Sequence, residues 1–293
     1  MSIEKKLLSG FSKAFYRQVP VDDIAGWTAQ ELTEVAGSMC AWAETRKAVG
    51  HKVKAFTTQH KRAACHIPHT LLQTVNDDMP FIVDSIAAEL AAQGLTVDVL
   101  FHPILNAARD KGGKLEDVRD DKAEGYITES YVYIELEQML SPESAEKLAV
   151  RLSAVLDDVR VATQDWKELK GRMETAVREL ETAPAALYAR AEAKEAQDFL
   201  KYLENNNFTF LGYGEFKFSG ANGKTQSSAV KGSALGVLKN HETDCFGQGA
   251  RSPEVAALSQ SKSPVMISKL IDQYSTVHRH VPLDAISVSI FDK

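Results

Sequence analysis

The chain has 293 residues, enough for about two domains that each bury a core of their own. Its apolar content of 44% and charged content of 25% are those of an ordinary soluble globular protein. The net charge of −6, with no run rich in Lys and Arg, argues against a nucleic-acid partner. No 18 apolar residues run together, so a membrane span is not expected, and three scattered cysteines (Cys40, Cys65 and Cys245) fit reduced thiols in a cytoplasmic protein.

The first 50 residues read as helices. "MSIEKKLLSGFSKAFYRQV" lacks an uninterrupted apolar core and a small-residue cleavage site, so it predicts an amphipathic helix rather than a signal peptide. Thr28 with Glu31 three residues later forms a capping box ahead of a second helix with apolar residues at spacings of three and four. Residues 1–50 are therefore predicted to be an N-terminal helical segment.

Residues 51–163 predict an α+β domain in the order strand, helix, strand, strand, helix. The predicted elements are "HKVKAF" and "HTLLQTV" as strands, a helix from about Pro80 to Gln93 ended by Gly94, a strand over 95–105, a hairpin "ARDKGGKLED", a half-buried strand over 126–137, and a helix capped by Ser141 with Pro142 at its first position. Residues 159–163 are either a final strand or an extension of that helix, which leaves "HKVKAF" to complete the sheet.

The remaining chain divides into a helical stretch and a β-rich stretch. Residues 164–204 are polar and helical by spacing, and we predict a helical connector there. Residues 205–293 carry short apolar strands separated by turns such as "GANGKT". The last alternating pattern, in "AISVSIFDK", begins just before the sequence stops, so the chain is expected to be either closed by an edge strand or cut from a longer protein.

The junction "QTVNDDMPFIV" carries the most chemical information. Two carboxylates, Asp77 and Asp78, follow Asn76 at the end of a strand, and Pro80 opens a helix. The first N–H groups of a helix lack internal partners and attract anions. A carboxylate of the junction either caps these N–H groups or holds an ammonium group while the N–H groups hold a carboxylate. The second arrangement is what an amino-acid ligand needs.

Other motifs give no catalytic or metal site. The sequence has no Gly-x-Gly-x-x-Gly, Gly-x-Ser-x-Gly or His-Glu-x-x-His pattern. Cys65-His66-x-x-His69 lacks a second ligand pair, and His278-x-His280 is expected to be incidental. Asp84 and Glu89 are expected to be solvated or to favour the helix start. No catalytic residue, metal or cofactor is therefore predicted in this chain.

The strand–helix–strand–strand–helix order with an Asp-x-Pro junction resembles the ACT domain, a βαββαβ ferredoxin-like module that senses amino acids. The family's junction usually reads Asp-x-Pro-Gly, whereas this chain has Asp78-Met79-Pro80-Phe81. The resemblance implies an effector site at Asn76, Asp77, Asp78, Met79 and Phe81. A phenylalanine in place of glycine occupies space that a ligand backbone would otherwise approach.

Longer motifs resemble the N-terminal region of the very large bacterial NAD-specific glutamate dehydrogenases. They are "HTLLQTVNDDMPFIVDSIAAELAAQGL", "HPIL", "ESYVYIELE", "LDDVRVATQDW" and "NNNFTFLGY", in the family's order. The resemblance implies an ACT-like domain over 51–163, a connector over 164–204 and a PAS-like domain over 205–293, possibly truncated. It places glutamate oxidation to 2-oxoglutarate and ammonia, together with NAD, in a downstream catalytic region.

The resulting expectation is a regulatory and assembly fragment, cytoplasmic and homo-oligomeric, with the downstream catalytic region as its partner and an amino acid as effector. The alternative is a purely structural scaffold without a ligand. In that case Val97, Val99 and Phe101 on one sheet face bury a subunit or interdomain contact, and Asp78 only caps its helix.

Overall fold

The computed structural model describes residues 3–47, 49–58, 69–183, 188–219, 226–240 and 263–289. The chain divides into two compact units, residues 1–157 and 158–293. Each unit is described by itself. The turn "GANGKT", the sequence Cys65-His66 and Cys245 lie outside the described residues. The division of the chain into four parts stays a prediction.

The first unit begins with helices, as the sequence predicts. They are α1 (Ile3–Arg17) and α2 (Ala29–Ala43), joined by a short 3₁₀ turn at Val21–Ile24. The capping box before α2 is confirmed, because the Glu31 N–H donates to Thr28 Oγ1 at 3.2 Å and the Thr28 N–H donates to Glu31 Oε2 at 2.6 Å.

A six-stranded antiparallel sheet forms the centre of the first unit. Its elements in chain order are β1 (His51–Thr58), β2 (His69–Asp77), α3 (Ile82–Ala92), β3 (Val97–Phe101), β4 (Ile104–Arg109), β5 (Leu115–Arg119), β6 (Ile127–Leu136) and α4 (Pro142–Gln164). The spatial order is β1-β2-β6-β4-β5, and β3 also pairs with β6. An α+β domain is confirmed, but the described order is ββαββββα rather than βαββαβ.

Three details correct the predicted strands. The strand predicted over 95–105 is broken at His102-Pro103 into β3 and β4. Both pair with β6, and the Tyr131 N–H donates to Pro103 O at 3.0 Å within that break. The predicted hairpin "ARDKGGKLED" contains part of a further strand, β5, paired with β4. Residues 159–163 continue α4, and β1 occupies the sheet edge beside β2.

The helix α3 ends where the sequence predicts. Gly94 has φ +69, and the Leu95 N–H donates back to Leu90 O at 2.9 Å, as in a Schellman-type ending. Ser141 precedes α4 and accepts a hydrogen bond from the Ser144 N–H at 3.2 Å, with Pro142 as the first helical residue.

Helices cover both faces of the sheet. Residues of α1 and α2 pack on the face that carries Leu71, Val75, Phe101, Leu105, Tyr131 and Tyr133. On the other face Leu72, Val132, Ile134 and Leu136 are buried, and α3 and α4 are tied together there by an ion pair between Arg151 and Glu89. The strand β6 is therefore buried on both faces from Glu129 to Leu136, not on one face as predicted.

The second unit combines helices with short hairpins. Its helices are α5 (Trp166–Thr182) and α6 (Arg190–Tyr202), with a wider turn at Leu203–Asn207. Its strands are β7 (Gly212–Tyr213), β8 (Phe216–Ser219), β9 (Gln226–Ala229), β10 (Leu235–Gly236), β11 (Val265–Tyr274) and β12 (Pro282–Val288). They pair as β7 with β10, β8 with β9, and β11 with β12. Val265, Ile286 and Val288 of the last hairpin pack on the core formed by α5 and α6.

Candidate functional site

The predicted effector residues lie where β2 passes into α3. Asn76 is fully buried within the sheet, opposite His51 on one side and Ser130 on the other. Asp77 ends the strand with a side chain that is 33% exposed. Asp78 is exposed, and Met79 and Phe81 are half-buried. The five residues therefore form a graded series from the sheet interior to the surface.

Asp78 does not cap α3, which corrects the capping hypothesis. The helix begins at Ile82, and the residue in the cap position is Phe81, whose side chain makes no cap hydrogen bond. Asp78 is instead fixed through its backbone, whose N–H donates to Thr128 O at 3.1 Å. Its exposed carboxylate therefore has no structural task at the helix start.

Phe81 adopts a left-handed backbone conformation, with φ 72 and ψ 2. This region is costly for a residue with a side chain, by about 1–3 kcal/mol, and it is the region that glycine occupies readily. The position at which the ACT family usually has glycine thus keeps a glycine-like backbone in this chain. The side chain of Phe81 is carried on that turn beside the first N–H groups of α3.

Asp77 is held from inside the chain by Arg46. The Arg46 side chain is only 1% exposed, and its Nη2 donates to Asp77 Oδ1 at 2.7 Å. The same guanidinium donates through Nη1 to Gly50 O at 2.6 Å. A cation from the segment after α2 therefore already satisfies one of the two carboxylates that the sequence places at the junction.

Arg46 belongs to a buried charge cluster centred on Glu129. Glu129 is fully buried and accepts from Arg46 Nε at 3.0 Å and from Arg46 Nη2 at 2.7 Å. Arg109 donates to both oxygens of Glu129, from Nε at 2.6 Å and from Nη2 at 2.8 Å. The Tyr131 hydroxyl donates to Glu129 Oε2 at 2.6 Å. With Asp77 the cluster is neutral, with two guanidinium groups and two carboxylates.

The pKa shifts in the cluster indicate the protonation states of Glu129 and Tyr131. Burial raises the pKa of a carboxyl group, but hydrogen bonds from Arg109 and Tyr131 and the charges of Arg109 and Arg46 outweigh it, so the pKa of Glu129 lies below its usual value. Burial and the Glu129 charge raise the pKa of Tyr131 well above its usual value. Glu129 is therefore ionised and Tyr131 neutral at physiological pH.

His102 lies near the same junction, at the break between β3 and β4. Its Nε2 is 2.7 Å from Ser130 Oγ. Burial lowers the pKa of His102, and the charge of Asp78 opposes that shift. The lowered pKa favours the neutral imidazole at neutral pH.

The junction brings an exposed carboxylate close to the start of a helix. Asp78 carries one exposed negative charge, and the positive end of the α3 dipole lies at the start of the helix that follows it. Among the described residues, no group of three or more His, Cys, Asp or Glu side chains is arranged to hold a metal ion. The described part of the chain also has no helix long and apolar enough to cross a membrane.

Other polar residues that the sequence singled out have structural partners. Glu89, expected to be solvated or to favour the helix start, is buried, and it accepts from Arg151 at 3.0 Å and from Gln93 at 2.8 Å. His69 lies within β2, 3.5 Å from the buried Glu135. His280 stacks on Tyr274 with ring centroids 4.9 Å apart.

Sequence reasoning missed Arg46, Arg109 and Glu129. One signal was present in "ESYVYIELE", where period-two spacing puts Glu129 on the same side as Tyr131 and Tyr133. Carboxylates on a face that also carries aromatic residues indicate buried charges that need cationic partners. The identity of those partners depends on contacts across 83 and 20 residues of chain.

Comparison with known proteins agrees with the resemblance. Residues 11–152 match the family model described as glutamate dehydrogenase, ACT1 domain. The chain is 29% identical over 293 residues to the NAD-specific glutamate dehydrogenase of Halomonas elongata and 25% identical over 288 residues to that of Pseudomonas aeruginosa. Both alignments cover 96% of this chain but only 18% of the relative's length. The NAD-specific glutamate dehydrogenase of Mycobacterium tuberculosis is 23% identical over 171 residues, which is 57% of this chain and 10% of that protein.

Proposed function

We propose that this chain is the regulatory and assembly part of a large NAD-specific glutamate dehydrogenase. The match of residues 11–152 to the glutamate dehydrogenase ACT1 domain supports the proposal. Glutamate oxidation to 2-oxoglutarate and ammonia, with NAD, then takes place in a downstream catalytic region. The present chain has no dinucleotide fingerprint of the Gly-x-Gly-x-x-Gly type, which supports assigning NAD binding elsewhere. We propose a cytoplasmic protein.

The regulatory part of the proposal depends chiefly on Asp78. An exposed carboxylate lies four residues ahead of Ile82, the first residue of a helix that it does not cap. An amino-acid effector would place its ammonium group against Asp78 and its carboxylate against the N–H groups of the first turn of α3. Met79 and Phe81, both half-buried, would contact the effector side chain, which favours an apolar one.

Asn76 and Asp77 would support the ligand site rather than provide its main charge. Asn76 is buried in the sheet, and Asp77 is engaged by Arg46. A ligand ammonium that approached Asp77 would compete with a guanidinium held by three acceptors, namely Asp77, Glu129 and Gly50. Asp78 is therefore the residue on which we expect affinity to depend most.

Isothermal titration calorimetry of the chain against each free amino acid tests this proposal. We expect saturable binding of at least one apolar amino acid and a loss of affinity of about tenfold or more in Asp78→Asn, since a charge-assisted hydrogen bond contributes about 1.5–3 kcal/mol. Asp23→Asn is a matched control, because Asp23 is exposed on the turn before α2 and its substitution removes the same negative charge. Equal affinities in wild type and Asp78→Asn would refute the site.

Assembly is the second candidate role. The form considered from the sequence, with Phe101 in a subunit contact, does not fit, because Phe101 is 1% exposed and packs against Phe15 and Trp27 of the same chain. We propose a homo-oligomer that forms through other surfaces. We also propose a PAS-like role for the β-rich second unit, supported by its short hairpins that pack on α5 and α6.

A further inference from the structure

A basic stretch of sequence leads into and through β1. Between Thr45 and Asn76 the sequence has six Lys and Arg residues and no Asp or Glu, although the net charge of the protein is −6. Two of these cations, Lys52 and Lys54, lie on β1 at a spacing of two, so their side chains share one face of the sheet. A local concentration of positive charge attracts small anions.

Both ammonium groups lie against the indole of Trp42, in the last turn of α2. Lys52 Nζ is 4.2 Å and Lys54 Nζ is 4.6 Å from the centre of the Trp42 ring. Lys54 Nζ is also 4.7 Å from the centre of the Phe56 ring. All four side chains are half-buried, so solvent still reaches them. One cation is enough for a favourable contact with a ring, whereas a second adds repulsion between like charges.

Lys52 has a structural role that Lys54 lacks. Lys52 donates to Trp42 O and, at 2.9 Å, to Thr45 O, which places a cation at the C-terminal end of α2. Lys54 contacts the two rings, but within the described part of the chain no carboxylate pairs with its ammonium group. The buried Trp42 Nε1 also has no hydrogen-bond acceptor among the described residues. An acceptor supplied by a ligand would therefore gain hydrogen bonds that the described residues do not make.

The charged neighbours do not neutralise the two lysines. The exposed carboxylate of Glu44 raises the pKa of Lys52, but it also lies 3.9 Å from Lys114. Burial and the charge of Arg109 lower the pKa of Lys52, and burial and the charge of Lys52 lower the pKa of Lys54. An anion beside both ammonium groups would oppose these effects and stabilise the charged forms.

We propose that Lys54, Lys52 and Trp42 form a binding site for a small metabolite with two anionic groups, either carboxylates or phosphates. One anionic group accepts hydrogen bonds from the Lys54 ammonium group, and the other accepts from the remaining N–H of Lys52. The Trp42 Nε1–H is a further donor. Since lysine acts as a point charge with three donors, it accepts both kinds of anion.

The site shares no residue with the β2–α3 junction. It therefore goes beyond the proposed amino-acid effector site and does not depend on it. Because the anion binds the folded chain, it is also expected to raise the melting temperature.

The fluorescence of Trp42 tests the site. A background of Trp27→Phe with Trp166→Phe leaves Trp42 as the only tryptophan, and its ring contacts both ammonium groups. The probes are inorganic phosphate, pyrophosphate and succinate, each added at constant ionic strength because salt screens charges. We expect a saturable change with pyrophosphate or succinate, and weaker binding of inorganic phosphate. The first two probes distinguish a phosphate ligand from a carboxylate ligand.

Variants of single lysines separate the site from a general attraction to positive charge. Lys54→Gln is expected to weaken binding at least about tenfold, whereas Lys54→Arg, which keeps the charge, is expected to retain most of it. Lys47→Gln is the matched control, because Lys47 is an exposed lysine of the same basic stretch, and it is expected to leave the affinity unchanged. Circular dichroism melting checks that each variant folds. If the double Phe background unfolds, calorimetric titration of the wild-type background with the same anions replaces fluorescence.

Each outcome decides for or against the site. Binding that Lys54→Gln weakens, and that Lys47→Gln and Asp78→Asn leave unchanged, supports it. No saturable binding of any of these anions at millimolar concentration overturns it and leaves the amino-acid proposal untouched. Binding that Lys54→Gln does not weaken, or that Lys47→Gln weakens equally, overturns it as well, since the anion then binds elsewhere or through general charge.

Discussion

Replacing Arg46 with methionine is expected to destabilise the first unit by about 3–5 kcal/mol, because it removes one partner of a buried ion pair. The Arg46 side chain is 1% exposed and donates to Glu129, Asp77 and Gly50. In the variant, Arg109 and Tyr131 still contact Glu129, so the loss should fall at the lower end of that range. Glu129→Gln leaves two guanidinium groups around a neutral amide. Its loss of stability should therefore reach the upper end of the range of about 3–5 kcal/mol.

Urea unfolding, followed by tryptophan fluorescence, measures these losses. Trp27 and Trp42 lie in the first unit, and a Trp166→Phe background removes the signal of the second. The matched control is Arg17→Met, since Arg17 pairs with Asp120 from a side chain that is 69% exposed, and surface pairs contribute about 0–1 kcal/mol. Combining Arg46→Met with Glu129→Gln should cost less than the sum of the single losses. A loss below about 1 kcal/mol for Arg46→Met would refute the account of the cluster as a structural tie.

Three further changes test other parts of the first unit. Gly113→Ala should lower stability by at least about 2 kcal/mol in the same assay, because Gly113 has φ +84 and an added Cβ would lie 2.0 Å from Arg46 O. Phe81→Gly should be about 1 kcal/mol more stable than Phe81→Ala, which isolates the left-handed backbone from the lost side chain; equal stabilities would argue against backbone strain at this turn. Burial lowers the pKa of His102, so the unfolded state binds the proton first and stability falls as the pH drops below about 6.5. His102→Gln should therefore flatten the stability profile between about pH 7 and pH 5, and an unchanged slope would show that other groups cause it.

Local features of the fold were predictable because neighbouring residues determine them. The capping box at Thr28, the end of α3 at Gly94 and the start of α4 at Pro142 all depend on interactions within a few residues. The helical character of the first 50 residues follows from the same kind of pattern. The β2–α3 junction was predicted to within two residues, since the strand expected to end at residue 75 ends at Asp77 and the helix expected to open at about Pro80 begins at Ile82.

Features that depend on distant contacts were not predictable in the same way. The sequence does not reveal that Arg46 reaches Glu129, or that α1 and α2 cover the sheet face that carries Phe101. The break at His102-Pro103 is a local consequence of a proline that the apolar run concealed. Of the two roles that the sequence left open for the junction carboxylates, capping of α3 by Asp78 is wrong, because the left-handed turn at Phe81 occupies the cap position.

The most direct test of the central claim is to record amide NMR spectra of the ¹⁵N-labelled chain while each amino acid is added. The claim is that the β2–α3 junction binds an amino-acid effector through Asp78 and the first turn of α3. It predicts that at least one amino acid shifts the amide signals of residues 78–84 in a saturable way, with smaller changes in the second unit. Spectra in which no amino acid moves those signals, or in which saturable shifts occur only elsewhere, would contradict it.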